Sequence, residues 1–148
     1  MKGIRSSVKA VIVRDGAVLL IRKRGNSGDY FVFPGGGQEK FETMTTALVR
    51  ECREEIGVEV VVRDLFFVRE YIARNHEFAV SDPATHQNEF YFLCDIVDGV
   101  PANGPAMDQG QIGVEWISVA ALPSHPVYPL SLRGEIAARS KIYHGDTN

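Results

Sequence analysis

Three glutamates, Glu51, Glu54 and Glu55, lie at positions i, i+3 and i+4 of one stretch. On a helix that spacing gathers them on one face, where like charges repel. A chain built this way needs either a cation at the cluster or a face open to water. A hard divalent ion with oxygen ligands meets the first need, since Mg²⁺ characteristically takes a few carboxylates together with phosphate oxygens of a substrate. The flanking residues favour the ion. Pro34-Gly35-Gly36-Gly37 comes just before the helix, so bare backbone can approach a ligand there. Thr43 suits an N-cap that starts the helix near Met44, and Gly57 suits a C-cap. Ala47, Leu48, Cys52 and Ile56 trace an apolar stripe of helical period, leaving Arg50 and the glutamates on the complementary side.

The span from Gly36 to Val58 fits G-x5-E-x7-R-E-U-x-E-E-x-G-U, with U a bulky apolar residue. It resembles the Nudix box, the signature of the Nudix hydrolases. The match rests on Gly36, Glu42, Arg50, Glu51, Glu54, Glu55, Gly57 and Val58. Cys52 stands where the family more often has Leu, Ile or Val, and a free Cys packs as a small hydrophobe.

The resemblance implies an α+β fold, the Nudix-type α/β/α sandwich around a mixed sheet. It also implies Mg²⁺-dependent hydrolysis of a diphosphate linkage in a nucleoside diphosphate joined to a group X, with Mn²⁺ as the alternative ion. Carried over by position, Glu54 and Glu55 resemble metal ligands, and Glu51 a ligand that also orients or deprotonates water. The Gly35 carbonyl resembles a further ligand. Arg50 would hold the glutamates by charge-assisted hydrogen bonds, with Glu42 as its partner. Glu51, Glu54 and Arg50 are thus the catalytic candidates. Gly35, Glu51, Glu54 and Glu55 are the metal candidates. The family's general base often lies outside the box; Glu89, Asp108 and Glu115 are the acids to consider, each with the alternative of an ordinary surface acid. ADP-ribose and dinucleoside polyphosphate subgroups carry a downstream proline or tyrosine; Ala73 and Arg74 stand at about those places, so neither mark is present. Their absence argues against both classes and leaves nucleoside triphosphates and nucleotide sugars open. A non-catalytic ligand-sensing domain is the competing reading, but such domains usually lose box glutamates, and this chain keeps them. An isomerase would need a catalytic Cys. Cys52 on the buried helix face and Cys94 mid-strand do not suit.

The 148 residues read as one domain, 1–148, long enough to bury a core. With 24% charged residues and a net charge of −3, no basic excess points to nucleic acid. The substrate expected is a small nucleotide-type molecule. Neither an apolar signal segment nor a membrane-length run is present, so the expectation is a cytoplasmic protein, with a homodimer open. Cys52 and Cys94 read as buried free thiols.

Along the chain, Ser7–Val13 and Ala17–Ile21 read as strands joined by an Asp15-Gly16 turn. Arg22-Lys23-Arg24 follows; Arg22 and Arg24 are candidates for gripping substrate phosphates, with strand-end solubility as the alternative. Tyr30–Phe33 reads as a short strand. Val58–Val62 and Leu65–Val68 read as β pieces interrupted by Arg63-Asp64. Residues 70–85 read as a strand giving way to a long loop, in which neither His76 nor the following His86 has a partner at metal-ligand spacing. Glu89–Val97 is a central-strand candidate and Asp98–Gln111 a loop. Gly113–Val119 reads as the last clear strand. Leu122–Pro129 must be extended or turning, and Leu132–Tyr143 has helical period, with the last five residues frayed.

Overall fold

The computed structural model describes residues 3–77 and 83–148. The chain opens with a hairpin of β1 (Arg5–Arg14) and β2 (Ala17–Gly25). Asp15 and Gly16 both take left-handed φ, 51° and 75°, as a two-residue turn matched to twisted strands requires. β3 (Gly28–Val32) returns along β2, and β4 (Gly35–Gly37) pairs antiparallel with β1. Helix α1 (Met44–Ile56) follows, then β5 (Glu59–Ile72), β6 (His86–Asp98) and β7 (Gln111–Ser118). The described chain ends with β8 (Val127–Tyr128), a single helical turn α2 (Glu135–Ala138) and β9 (Tyr143–Asp146).

Among the described residues the sheet runs β8-β3-β2-β1-β6-β5-β9, with β4 added to β1 and β7 to β2. It is mixed: β1 and β6 are parallel, β5 and β6 antiparallel. Alternate residues of the first hairpin feed two cores. Val8, Ala10, Ile12, Leu19 and Ile21 pack with Ala47, Leu48, Cys52 and Ile56 of α1. Val11, Val18 and Leu20 pack on the opposite side with Leu122, Val127, Leu132 and Ile136. Ala10–Ile12 of β1 and Val18–Ile21 of β2 are therefore apolar on both faces, and each Val, Leu or Ile side chain so buried contributes about 1.5–3 kcal/mol. The result is the α+β sandwich expected, although its second outer layer is built from 3-10 turns and the one turn of α2.

The ends of α1 are set by local chemistry. Thr43 is extended, and its hydroxyl accepts from Thr46 N at 3.1 Å. Gly57 closes the helix at φ 68°. The orphan carbonyls of the last turn are met by the β6–β7 loop. Ala106 N, Gly104 N and Ala102 N donate to the carbonyls of Glu54, Glu55 and Ile56 at 2.9, 2.9 and 3.1 Å.

Several expectations need correcting. The two β pieces around Arg63-Asp64 form one strand, β5, whose register against β6 shifts between Val62 and Leu65 and again between Leu65 and Phe67. Bulges absorb the polar pair without ending the strand. The terminal helix is not a helix over 132–143. A 3-10 turn at Leu130–Leu132 and α2 bury Leu132 and Ile136, then Arg139 turns left-handed at φ 48°. Residues beyond it pair with the β5 edge: Val68 N donates to Ile142 O at 2.8 Å. Residues 143–146 are accordingly strand, Thr147 and Asn148 are held by Arg69 and not frayed, and β7 is not the last strand. Phe78 and Asp82, from the long loop expected there, lie outside the described residues.

Candidate active site

The solvent face of α1 is organised by one guanidinium. Arg50 Nε and Nη2 donate to the two Glu42 oxygens at 2.9 and 2.8 Å. Its Nη1 donates to Glu51 at 3.0 Å and to Glu54 at 3.3 Å, and Nη2 also reaches Gly37 O at 3.1 Å. Arg50 thus ties the Gly-rich turn to the helix. Hydrogen bonds from Arg50, and one from Glu39 N, hold the Glu42 carboxyl down at about 2.

Glu55 is placed from the other side. It is 3% exposed, and its Oε1 accepts from Gly35 N at 2.7 Å. Burial pushes its carboxyl up to about 7, against the pull of Lys9 and of the Gly35 N–H. Burial also raises Glu51, opposed by Arg50. The Glu51 carboxylate lies in a cradle that glycine leaves open: a Cβ on Gly36 would stand 2.8 Å from it. Glu54 is the most open of the three, with a side chain 40% exposed.

Glu51, Glu55, Gly35 and Gly36 line a cleft of about 680 Å³, a size that takes a small ligand. Its other wall is basic: Arg5, Lys9, Lys23 and Arg24 also line it. A smaller cavity of about 210 Å³ adjoins it through Lys9, Lys23, Tyr30, Gln87 and Asp108, and is walled by Phe33, Tyr71, Tyr91 and Tyr128. Carboxylates facing ammonium and guanidinium groups across one cleft suit a cation and a polyanion bound together.

The expected residues divide. Glu51, Glu55, Gly35 and Arg24 meet in the cleft; Glu54 joins through Arg50. Arg22 does not line it. Its guanidinium spans Asp29 of β3 and Glu115 of β7, each at 2.8 Å from one nitrogen. Glu115 is thereby drawn to Arg22 and away from the cleft lining. Glu89 is 2% exposed, with Arg69 on both its oxygens at 2.9 and 3.1 Å and Tyr91 and Gln87 alongside. Asp108 does line the cleft, paired with Lys23 Nζ at 2.6 Å. Burial raises its carboxyl, but Lys23 more than offsets this and keeps it below the ordinary value. His76 pairs with Asp146 at 2.7 Å and stacks on Tyr71. Both cysteines are buried and free.

Sequence reasoning passed over Arg5 and Lys9 and, within the basic triplet of residues 22–24, singled out Arg22 and Arg24 instead of Lys23. A signal existed for the first two. Arg5, Ser7 and Lys9 are polar at period two, and in the parallel register they lie beside Gln87, Glu89 and Tyr91.

Among the described residues no three His, Cys, Asp or Glu side chains are already gathered into a metal cage. The donors within reach, Glu51, Glu55 and the Gly35 carbonyl, are nevertheless all oxygen, beside the glycine cradle of Glu51. That set fits a hard divalent cation.

The family model for the NUDIX domain matches residues 3–134. The chain belongs to the Nudix family. It is 37% identical over 86 residues to a CTP pyrophosphohydrolase of Escherichia coli, across 57% of this chain and 58% of that protein. It is 33% identical over 94 residues to an ADP-ribose pyrophosphatase of Methanocaldococcus jannaschii, across 63% of this chain and 52% of that protein. The chain therefore spans little more than half the length of these two curated relatives. The crystal structure of a MutT Nudix hydrolase from Burkholderia pseudomallei superposes with a TM-score of 0.73 at 25% identity, covering 92% of this chain and 99% of that one. Among the described residues of this Nudix protein, no helix is long and apolar enough to cross a membrane.

Proposed function

We propose that this Nudix domain, acting as a single domain, is a Mg²⁺-dependent pyrophosphohydrolase that cleaves a diphosphate linkage in a nucleoside diphosphate-X compound, with Mn²⁺ able to replace Mg²⁺. One observation carries the reading: Glu51, held by Arg50, and Glu55 share a cleft with the Gly35 backbone and with Arg5, Lys9, Lys23 and Arg24. Glu51, Glu54, Glu55 and the Gly35 carbonyl would hold the ion. When bound, it neutralises the diphosphate and lowers the pKa of its water.

The chain's own residues do the rest. Lys23 and Arg24 hold phosphate oxygens on the wall opposite α1. Arg50 fixes the rotamers of Glu51 and Glu54, so their charge is preorganised. Glu51 orients the attacking water. Asp108, of the three acids outside the box, is the one that lines the cleft, and once Lys23 turns to the phosphates its carboxylate is free to take a proton from the attacking water. The aromatic cavity beyond Lys9, lined by Tyr30, Phe33 and Tyr128 among others, takes the nucleoside. Similarity to proteins named for CTP and ADP-ribose supports a nucleoside substrate. Nucleoside triphosphates and nucleotide sugars are the first classes to try.

The test is a panel of nucleoside triphosphates, nucleotide sugars and dinucleoside polyphosphates, assayed for phosphate products with MgCl₂ or with EDTA. Hydrolysis abolished by EDTA, and lowered at least about a hundredfold by Glu54→Gln, is expected. Tight nucleotide binding without turnover would assign a sensing role instead.

A further inference from the structure

Lys9, like Arg5, is a cation of the cleft that the proposed mechanism leaves without a task. It sits in β1 directly opposite Gly35 in the β1–β4 pairing. Its Nζ donates a long hydrogen bond, 3.4 Å, to the Gly35 carbonyl. Neighbouring cations are each paired with an acid: Lys23 with Asp108 at 2.6 Å, Arg50 with Glu42 at 2.8 Å, Arg69 with Glu89 at 2.9 Å. Lys9 has no ion pair of that kind among the described residues. Its charge is instead felt by four carboxyl groups at once, Glu51, Glu55, Glu89 and Asp108. It also stands at the junction of the cleft and the aromatic cavity.

We propose that Lys9 is the built-in counter-cation of this cleft, competing with a divalent ion for the Gly35 carbonyl and the field of Glu51 and Glu55. This rests on reading the cleft as a cation-dependent centre. The physical ground is a trade. Without a metal, the ammonium relieves the crowding of the carboxylates. With a metal, the same ammonium must give up a long, weak hydrogen bond, which costs little, and remain nearby as a like charge, which costs more. A flexible four-carbon stem lets it withdraw toward the substrate's phosphates. Lys9 is a positioning residue in this scheme: it sets how tightly the ion is held before substrate arrives.

The test is Mn²⁺ binding to the metal-free protein without nucleotide, followed by calorimetry and by the electron paramagnetic signal of free Mn²⁺. Lys9→Met is expected to bind Mn²⁺ about tenfold more tightly than the parent, and Lys9→Arg about as weakly as the parent. In EDTA the Met variant should melt at a lower temperature than the parent, and MgCl₂ should raise its melting temperature by more. Adding Glu55→Gln to the Met variant should remove the gain, which places the ion in this cleft. Should Lys9→Met fold poorly, Lys9→Gln makes the same measurement. Unchanged or weaker Mn²⁺ binding on removal of the charge overturns the role of Lys9 while leaving the cation centre intact. Absence of Mn²⁺ binding at millimolar concentration in every variant overturns both.

Discussion

Arg50 grips Glu42 with two parallel hydrogen bonds, at 2.9 and 2.8 Å, and spends its remaining donors on Glu51, Glu54 and the Gly37 carbonyl. A planar fork makes this possible; an ammonium cannot hold two carboxylate oxygens and still reach two further glutamates. Arg50→Lys should therefore lower kcat about 10–100-fold with KM for nucleotide little changed, as loss of a supporting shell does. Steady-state kinetics decide it, and an equal loss through KM alone would refute the supporting role. The same pair has a pH signature. Glu42 is held at about 2, below its ordinary 4.5, so its contribution to stability is present above 4.5 and is lost as the pH falls toward 2. In Arg50→Lys the acid unfolding midpoint should move to higher pH.

Glu55 predicts the opposite sign. Its carboxyl sits at about 7 instead of 4.5, chiefly because it is buried. Below 4.5 both folded and unfolded chains carry it neutral. Between 4.5 and 7 the unfolded chain ionises first, so stability falls across that window and stays lower above it. The shift corresponds to a cost on the order of 3 kcal/mol. Glu55→Gln keeps an acceptor for Gly35 N and removes the charge. In the metal-free protein it should be more stable than the parent at pH 8 and nearly equal at pH 4, while turnover is lost. Urea unfolding at the two pH values measures this. A variant weaker than the parent at pH 8 would refute it.

The β6–β7 loop should control the last turn of α1. A Cβ on Gly104 would lie 2.3 Å from the Glu54 carbonyl oxygen and 2.9 Å from backbone atoms of Glu54 and Glu55. Backbone cannot swing aside as a side chain can. Gly104→Ala should cost about 1–3 kcal/mol, as overpacking does, and should lower kcat because the displaced turn carries Glu54 and Glu55. Gly113→Ala, with nothing within 4 Å of its Cβ, is the control expected to keep full activity. Thermal melts and kinetics of the pair separate the two.

What could be read from the sequence was what is decided locally. Thr43 and Gly57 bound α1 by cap chemistry, and Asp15-Gly16 forms its turn by backbone preference, so these stand where expected. Arg22 could not be placed that way. Whether it or Lys23 faces the cleft depends on Asp29 and Glu115, brought beside it by strand pairing. The same holds for residues 140–148. Leu132 and Ile136 do show the i, i+4 spacing of a buried helix face, but the open edge of β5 competes for the chain beyond, and that edge exists only once the sheet is assembled. The box glutamates were legible by spacing; the basic wall opposite them was only a period-two pattern inside an ordinary strand.

Phe41 breaks a local rule without a compensating contact in view. It adopts φ 74° although it is bulky, and its side chain is 97% exposed, with the Lys40 ammonium 5.4 Å from the ring. A left-handed conformation costs a side-chain-bearing residue about 1–2 kcal/mol, and Gly takes it freely. Gly also makes the unfolded chain more disordered, which returns about 0.4–1 kcal/mol of that gain. Phe41→Gly should therefore stabilise the protein by a net of about 0.5 kcal/mol. Phe41→Ala, which keeps the strained backbone, should show no such gain. Position 41 lies next to Glu42, whose carboxylate Arg50 holds at 2.9 and 2.8 Å. If the strained backbone helps deliver that carboxylate, Phe41→Gly should raise the melting temperature while lowering kcat. If kcat is unchanged, the Phe41 conformation does not support the Glu42–Arg50 pair.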